Sequence, residues 1–185
     1  MLVQNLLMMT CPFKEYLQLP GWSYSGIRNE GCLTVSSEKM RLGTQVHDYL
    51  LTPGNISAEQ HPLIRPLAKV LAAKLGLLLA YLRPECAVTA NFIHAGFNMQ
   101  YKGRIDLCIP KRLVVDIKVS ELSSTKAAIH YFGYDRQLNG YAAAIEAKTI
   151  LLLSIHPKTF ETQLINIPIN HSWWEEEIKK RGNVI

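Results

Sequence analysis

Two short apolar segments separated by a turn constrain the fold of this chain more than any other feature. Residues 107–109 read Leu-Cys-Ile, residues 113–115 read Leu-Val-Val, and Pro-Lys-Arg stands between them. Apolar and β-branched runs on either side of a short turn predict an antiparallel hairpin. If the turn is centred on Lys111, then Asp106 lies opposite Asp116 across the two strands.

The alternation of side chains along a strand assigns a face to each residue of this hairpin. We expect the polar residues of both strands, together with Cys108, on one face and the apolar residues on the other. The two expected sets are Arg104, Asp106, Cys108, Asp116 and Lys118 against Ile105, Leu107, Ile109, Val115, Ile117 and Val119. The apolar set can then pack into a core.

Two carboxylates that face each other destabilise a sheet by about 0.2–1 kcal/mol, and by more if water is excluded. A hard divalent cation such as Mg²⁺ removes this cost, because it prefers one or two carboxylates together with water and phosphate oxygens. Lys118 would then direct its ammonium group at an attacking water or at a phosphate that gains charge. For Asp-x-Lys in isolation, an ordinary surface ion pair between Asp116 and Lys118 is the alternative.

The composition favours a single domain, residues 1–185, and a polyanionic partner. The 185 residues contain no Pro/Ser/Gly-rich segment that would divide them, and they suffice for one sizeable core. The formal charge is +5 and the pI about 9.0, which suits nucleic acid, although a modest basic excess is weak evidence by itself. Basic side chains do recur near the hairpin: Lys102, Arg104, Lys118, Lys126 and Arg136.

The cysteines and the apolar segments argue against several other classes of protein. Cys11, Cys32, Cys86 and Cys108 are widely spaced and form no CxxC pair, so we expect free thiols, no zinc site and no iron–sulfur cluster. The longest apolar segment, residues 67–82, contains two lysines and is too short to span a membrane. The N-terminus lacks the basic region and cleavage site of a secretion signal. We therefore expect a cytoplasmic protein without membrane contact.

Periodicity along the rest of the chain predicts an α/β fold. A helix is expected over about 40–51, and a longer helical region over 57–82, broken near its two prolines. Strands follow over about 86–94, 99–109 and 113–119. Next come one or two helices over 124–147, strands at 149–155 and 162–167, and a closing helix from Asn170 or Ser172. This order predicts a central mixed β-sheet that contains the acidic hairpin, with helices on both faces.

The hairpin resembles the PD-(D/E)xK nuclease superfamily, whose restriction-endonuclease-like core is such a sheet with the acidic hairpin at its centre. Residues 43–47, Gly-Thr-Gln-Val-His, are similar to the GxxxH motif of the branch that contains RecB, lambda-type and RecE-type exonucleases. Residues 137–141, Gln-Leu-Asn-Gly-Tyr, are similar to the QxxxY motif of the same branch. Segments 19–27 and 40–43 look most like the nuclease domain of RecE (exonuclease VIII) and its phage relatives. The resemblance covers about residues 16–145.

The two helical motifs also have a physical reading. Gly43 and His47 are one helical turn apart, so that helix could approach the sheet at the glycine and direct an imidazole at a metal. Gln137 and Tyr141 are one turn apart as well, and an amide beside a phenol can hold a phosphate oxygen or the lysine. The resemblance implies that His47 binds the metal or orients its water, and that Gln137 and Tyr141 contact DNA beside Lys118. For His47 the alternative is a surface histidine or a core histidine with its hydrogen bonds satisfied. For Gln137 and Tyr141 it is an ordinary amphipathic helix with an exposed glutamine.

Glu85 completes the candidate residues. It matches the acidic residue that RecE-like sequences carry on the strand before the hairpin, but it directly follows a proline and could simply end a loop. The candidate metal ligands are Asp106, Asp116, His47 and Glu85. The catalytic candidates are Asp106, Asp116, His47, Lys118, Gln137 and Tyr141. The candidates for DNA contacts are Lys102, Arg104, Arg136 and Tyr141.

The resemblance implies an Mg²⁺-dependent deoxyribonuclease, with Mn²⁺ as an alternative metal. Its relatives imply a 5′→3′ exonuclease on double-stranded DNA ends in recombination and repair, with a single-strand annealing protein as partner and a ring-shaped homo-oligomer. An endonuclease or single-strand nuclease of the same fold, a defence nuclease and a catalytically silent DNA-binding module are the alternatives. The expected compartment is the cytoplasm of a bacterium or of a phage-infected host cell.

Overall fold

A computed structural model of the chain describes residues 1–11, 13–28, 38–51, 62–120 and 126–185. Within these residues, seven strands form one mixed sheet in the order β1-β2-β3-β4-β5-β6, and β7 pairs with the start of β3. β4 and β5 run parallel, whereas the other neighbours are antiparallel. The strands are β1 (Leu2–Thr10), β2 (Arg83–His94), β3 (Phe97–Ile109), β4 (Leu113–Val119), β5 (Thr149–Ile155), β6 (Thr162–Asn166) and β7 (Asn183–Val184).

Helices cover both faces of this sheet. The described helices are α1 (Phe13–Gln18), α2 (Tyr24–Arg28), α3 (Glu38–Leu51), α4 (Ile64–Leu75), α5 (Lys126–Phe132), α6 (Tyr134–Ala144) and α7 (Ser172–Arg181). Buried residues of α2, α6 and α7 form one core on the sheet, and buried residues of α3 and α4 form a second. The predicted fold class, a central mixed sheet containing the acidic hairpin with helices on both sides, is confirmed.

Most predicted elements lie within a few residues of the observed ones. The start of the longer helical region, at residue 57, lies outside the described residues; α4 begins at Ile64 and carries Pro66 in its first turn, where a proline is tolerated. β1 was not predicted, because its pairing with β2 shifts register between Gln4 and Leu7, and Asn5 has a φ of 52°. This irregularity interrupts the alternation by which a strand is recognised.

The acidic hairpin has the predicted turn. Leu107 pairs with Val115 and Ile109 with Leu113, so the turn is centred on Lys111, which takes a positive φ of 61°. The described pairs end at Leu107, one residue before Asp106 and Asp116 would meet. The hairpin therefore opens at the two carboxylates.

The predicted apolar face of the hairpin is wrong for Ile105, because the alternation of side chains along β3 is interrupted at Asp106. Ile105 packs into the core beneath α6, whereas Leu107 packs into the core beneath α3 and α4, although regular alternation would place both on one face. The cause is next to Asp106: Glu85 on β2 has a φ of 49°, and the pairing of β2 with β3 omits Glu85 and Asp106. This local distortion lets β3 serve both cores and directs an acid from each strand to one place.

Two further findings concern the expected class of protein. Among the described residues, no helix combines the length and the apolar character needed to cross a bilayer. Of the cysteines in the same part of the chain, Cys11, Cys86 and Cys108 are free thiols. Cys32 lies outside the described residues.

The tight contact between α6 and α7 gives a stability prediction. A Cβ on Gly140 would lie 2.6 Å from the indole ring of the buried Trp174, whereas one on Gly43 of α3 would lie 3.9 Å from Val119. We expect Gly140→Ala to lower the free energy of unfolding by about 1–3 kcal/mol through overpacking. Gly43→Ala should leave it unchanged or raise it by up to about 1 kcal/mol, because alanine favours a helix. Urea denaturation measures both, and equal effects would contradict this packing.

Candidate metal site

Three potential metal ligands from three different elements converge at the open end of the hairpin. His47 comes from α3, Glu85 from β2 and Asp106 from β3, and one ligand atom of each lies within 4.8 Å of the other two. All three side chains are largely buried. A nitrogen and two carboxylates at this spacing form a donor set that suits a divalent cation.

The peptide group of Ile117 on β4 orients two of these ligands. Its N–H donates a hydrogen bond of 2.9 Å to Oδ2 of Asp106, and its carbonyl oxygen lies 2.7 Å from Nε2 of His47. Since a carbonyl can only accept, Nε2 carries the proton. Histidines that bind metals are commonly fixed in this way through the other ring nitrogen.

The remaining ring nitrogen of His47 provides a test of whether a cation fits. With Nε2 protonated, Nδ1 of the neutral imidazole presents a lone pair, and it lies 3.4 Å from Oδ2 of Asp106. Two acceptors at this separation repel each other unless a proton or a metal ion stands between them. The residues present therefore fit a bound divalent cation.

Glu85 contributes a second carboxylate, and its pKa is raised. Burial first, and then the neighbouring Asp106, raise the pKa of Glu85 to about 7, although the guanidinium of Arg104 opposes them. Nε of Arg104 lies 2.7 Å from Oε2 of Glu85. Glu85 does not end a loop, since it is a buried residue within β2.

Asp116 and Lys118 form a separate ion pair on β4, in which the carboxylate is buried. Nζ of Lys118 lies 2.5 Å from Oδ2 of Asp116, and the Asp116 side chain is only 2% exposed. Burial raises the pKa of Asp116 in spite of the lysine. Burial alone would lower the pKa of Lys118, but the carboxylates of Asp116 and Asp106 outweigh it and hold that pKa above its ordinary value. The charge of Asp106, one of the candidate metal ligands, thus acts on both members of the pair.

The residues of the second helical motif lie on α6 above the hairpin. Nε2 of Gln137 donates to the hydroxyl of Tyr141 at 3.0 Å, and Tyr141 is buried. A Cβ on Gly103 would lie 2.8 Å from the Tyr141 ring, so this glycine lets α6 approach β3. The role of Gln137 and Tyr141 in contacting DNA stays a prediction.

The basic residues predicted to contact DNA make contacts within the protein. Nζ of Lys102 donates to the carbonyls of Leu17 and Leu19, at 3.1 and 2.8 Å. Arg104 pairs with Glu85, and the guanidinium of Arg136 lies 5.6 Å from the ring centroid of Trp173. The DNA contact of each of these residues stays a prediction.

Sequence reasoning missed one side chain at this site. The Tyr134 ring centroid lies 5.1 Å from Nζ of Lys118, close enough for a cation–π interaction. Tyr134 precedes Gln137 by three residues and Tyr141 by seven, so the three share one face of a helix. That spacing was visible in the sequence.

The comparisons with known proteins concern the fold. No protein-family model and no curated protein matches the chain. The chain is similar to a crystal structure from Eubacterium rectale named "Putative exonuclease", with 17% identity and a TM-score of 0.50 over 84% of this chain and 67% of the other. A crystal structure named SSO0001 has 20% identity and a TM-score of 0.43 over 80% and 76% of the two chains, which is too distant to carry an argument. At 17% identity, the similarity to the Eubacterium rectale structure shows a shared fold.

The raised pKa of Glu85 gives a prediction about cation binding and pH. Because that pKa lies above the ordinary value of 4.5, folding of the metal-free protein becomes less favourable as pH rises from about 4.5 to 7. A divalent cation favours the ionised carboxyl, so Mg²⁺ should raise Tm more at pH 8 than at pH 5.5. Each kcal/mol of stabilisation corresponds to about 2–4 °C, which differential scanning fluorimetry resolves.

A matched pair of variants isolates Glu85 in this experiment. Glu85→Gln should reduce the pH dependence of the Mg²⁺ effect. Glu177→Gln changes another buried glutamate that pairs with an arginine, Arg181, on α7, and it should keep the full dependence. A Mg²⁺ effect of equal size at both pH values, or a pH dependence that is the same in Glu85→Gln as in the wild type, would contradict the assignment.

Proposed function

We propose that this protein is a metal-dependent nuclease that hydrolyses phosphodiester bonds of DNA. The observation that carries the proposal is the convergence of His47, Glu85 and Asp106 beside the Asp116–Lys118 pair. The shared fold with a structure named as an exonuclease adds support. The net charge of +5 suits a polyanionic substrate.

The residues of the candidate site would have distinct roles in hydrolysis. His47, Glu85 and Asp106 would hold Mg²⁺, with Asp116 beside them. When bound, the ion would supply positive charge that stabilises the phosphoryl group and acidifies water. Lys118 is held in place by Asp116 and by the Tyr134 ring, so its ammonium can orient the nucleophilic water or stabilise charge on a phosphate oxygen.

The finer proposal is an exonuclease that acts 5′→3′ on double-stranded ends during recombination or repair. It derives from the resemblance of segments 19–27 and 40–43 to the RecE-like nucleases. Mg²⁺ as the metal, a single-strand annealing protein as the partner and a homo-oligomeric ring belong to the same proposal. An endonuclease and a single-strand nuclease differ from it in substrate, and a catalytically silent DNA-binding module differs in chemistry.

Digestion of end-labelled linear duplex beside covalently closed circular DNA separates these functions. We expect Mg²⁺-dependent loss of the linear DNA alone, because an exonuclease needs an end. The labelled end that disappears first reports the polarity. Cutting of the circle would indicate an endonuclease, whereas duplex binding without cleavage of either substrate would indicate the silent module.

Replacement of Asp116 and Lys118 tests the role of this ion pair in catalysis. Asp116→Asn should slow cleavage at least about 100-fold, because it removes a charge that positions Lys118. The double variant Asp116→Asn with Lys118→Met keeps the pair neutral, so it should fold and also be inactive. Lys179→Met removes a lysine of an exposed pair on α7 and should cleave normally. A folded double variant with normal activity would refute the proposed role.

A further inference from the structure

A run of aromatic side chains leads from Lys118 to the protein surface. The Tyr134 ring, 5.1 Å from Nζ of Lys118, stacks with Phe132 at a centroid distance of 5.5 Å and an interplanar angle of 23°. Phe132 in turn contacts Tyr131 edge to face at 5.2 Å. Tyr131 is 80% exposed. We call Tyr131, Phe132 and Tyr134 the aromatic run.

The backbone beneath the aromatic run is held by α2. The carbonyl oxygen of Phe132 accepts hydrogen bonds from Nη1 of Arg28 at 3.0 Å and from the hydroxyl of Tyr24 at 3.4 Å. Gly133, which joins α5 to α6, has a φ of 67° and no room for a Cβ, which would overlap the Tyr24 hydroxyl. The backbone at Phe132 and Gly133 is thus held before any ligand arrives, which lowers the entropy lost on binding.

Two cationic side chains lie at the aromatic run. Nη1 of Arg28 lies 3.0 Å from the carbonyl oxygen of Phe132, and Nζ of Lys118 lies 5.1 Å from the centroid of the Tyr134 ring. Flat rings combined with arginine and lysine charges are the combination by which proteins bind single-stranded nucleic acid, since bases stack on rings and phosphates pair with cations. Tyr131 is too exposed to contribute much to the packing of the core.

We propose that the aromatic run stacks unpaired bases of the DNA strand whose phosphate lies at the metal site. The ligand class is therefore DNA with unstacked bases next to the reacting phosphodiester. This inference rests on the proposed nuclease function, because it places the scissile phosphate beside Lys118. It assigns a binding role to Tyr131, Phe132 and Tyr134, none of which is a candidate metal ligand.

The test compares binding of two labelled strands by fluorescence anisotropy. One is oligothymidylate, and the other has the same length with abasic sites in place of the bases. Ca²⁺ replaces Mg²⁺, and a gel confirms that the strands stay intact. Tyr131→Ala should weaken binding of oligothymidylate about 5-fold or more, and Phe132→Leu should act in the same direction. Binding of the abasic strand should not change.

Tyr81 provides a matched control, since it is 74% exposed and lies outside the aromatic run. Tyr81→Ala should bind both strands as the wild type does. The inference is overturned if the wild type does not bind oligothymidylate, if Tyr131→Ala leaves its affinity unchanged, or if both strands lose affinity equally. A changed oligomeric state in sedimentation, with unchanged DNA affinity, would assign the aromatic run to self-association and also overturn it.

Cleavage assays on the same proteins separate this inference from the proposed function. If the wild type digests DNA while Tyr131→Ala binds oligothymidylate normally, the nuclease proposal stands and the stacking proposal fails. If base-dependent binding is lost in Tyr131→Ala but the wild type digests no DNA, the stacking surface stands and the nuclease proposal fails.

Discussion

The peptide group of Ile117 is the contact on which the candidate site depends. It donates to Asp106 and accepts from His47, so one backbone unit orients ligands from β3 and from α3. That peptide cannot move independently, because β4 is paired in parallel with β5 along all seven of its residues. The residues before and after Ile117, Asp116 and Lys118, form an ion pair with each other. The site therefore takes its geometry from the centre of the sheet, which holds functional groups more firmly than a loop would.

The buried carboxylates at the candidate site destabilise the metal-free protein. Glu85 and Asp116 are buried carboxyl groups whose pKa values are raised, chiefly by desolvation. Each would be easier to bury as an amide, so these residues cost stability unless a cation compensates them. Strained backbone accompanies them, since Glu85 holds a positive φ within a strand. Costs of this kind concentrate at functional sites, which is why the cluster is better explained by chemistry than by folding.

The residue types around Lys111 were sufficient to predict the hairpin and its register. The features that the sequence did not predict depend on contacts between residues far apart in the chain. The turn at Lys111 follows from short apolar runs around a polar tripeptide, and it has the predicted register. The face change at Asp106 was not predictable in this way, because it depends on the backbone of Glu85 on another strand. Lys102 illustrates the same limit, since it binds the carbonyls that end α1, a short helix that no periodicity indicated. Tyr134, in contrast, was predictable from the sequence, because its spacing from Gln137 and Tyr141 places all three on the same face of α6.

Anomalous diffraction from crystals grown with Mn²⁺ tests the metal site, because it locates the ion without reference to activity. We expect a peak in the anomalous difference map between Nδ1 of His47 and the carboxylates of Glu85 and Asp106, with Nε2 of His47 still bonded to the Ile117 carbonyl. A protonated His47 paired directly with Asp106 and no peak at this position, at saturating Mn²⁺, would contradict this expectation.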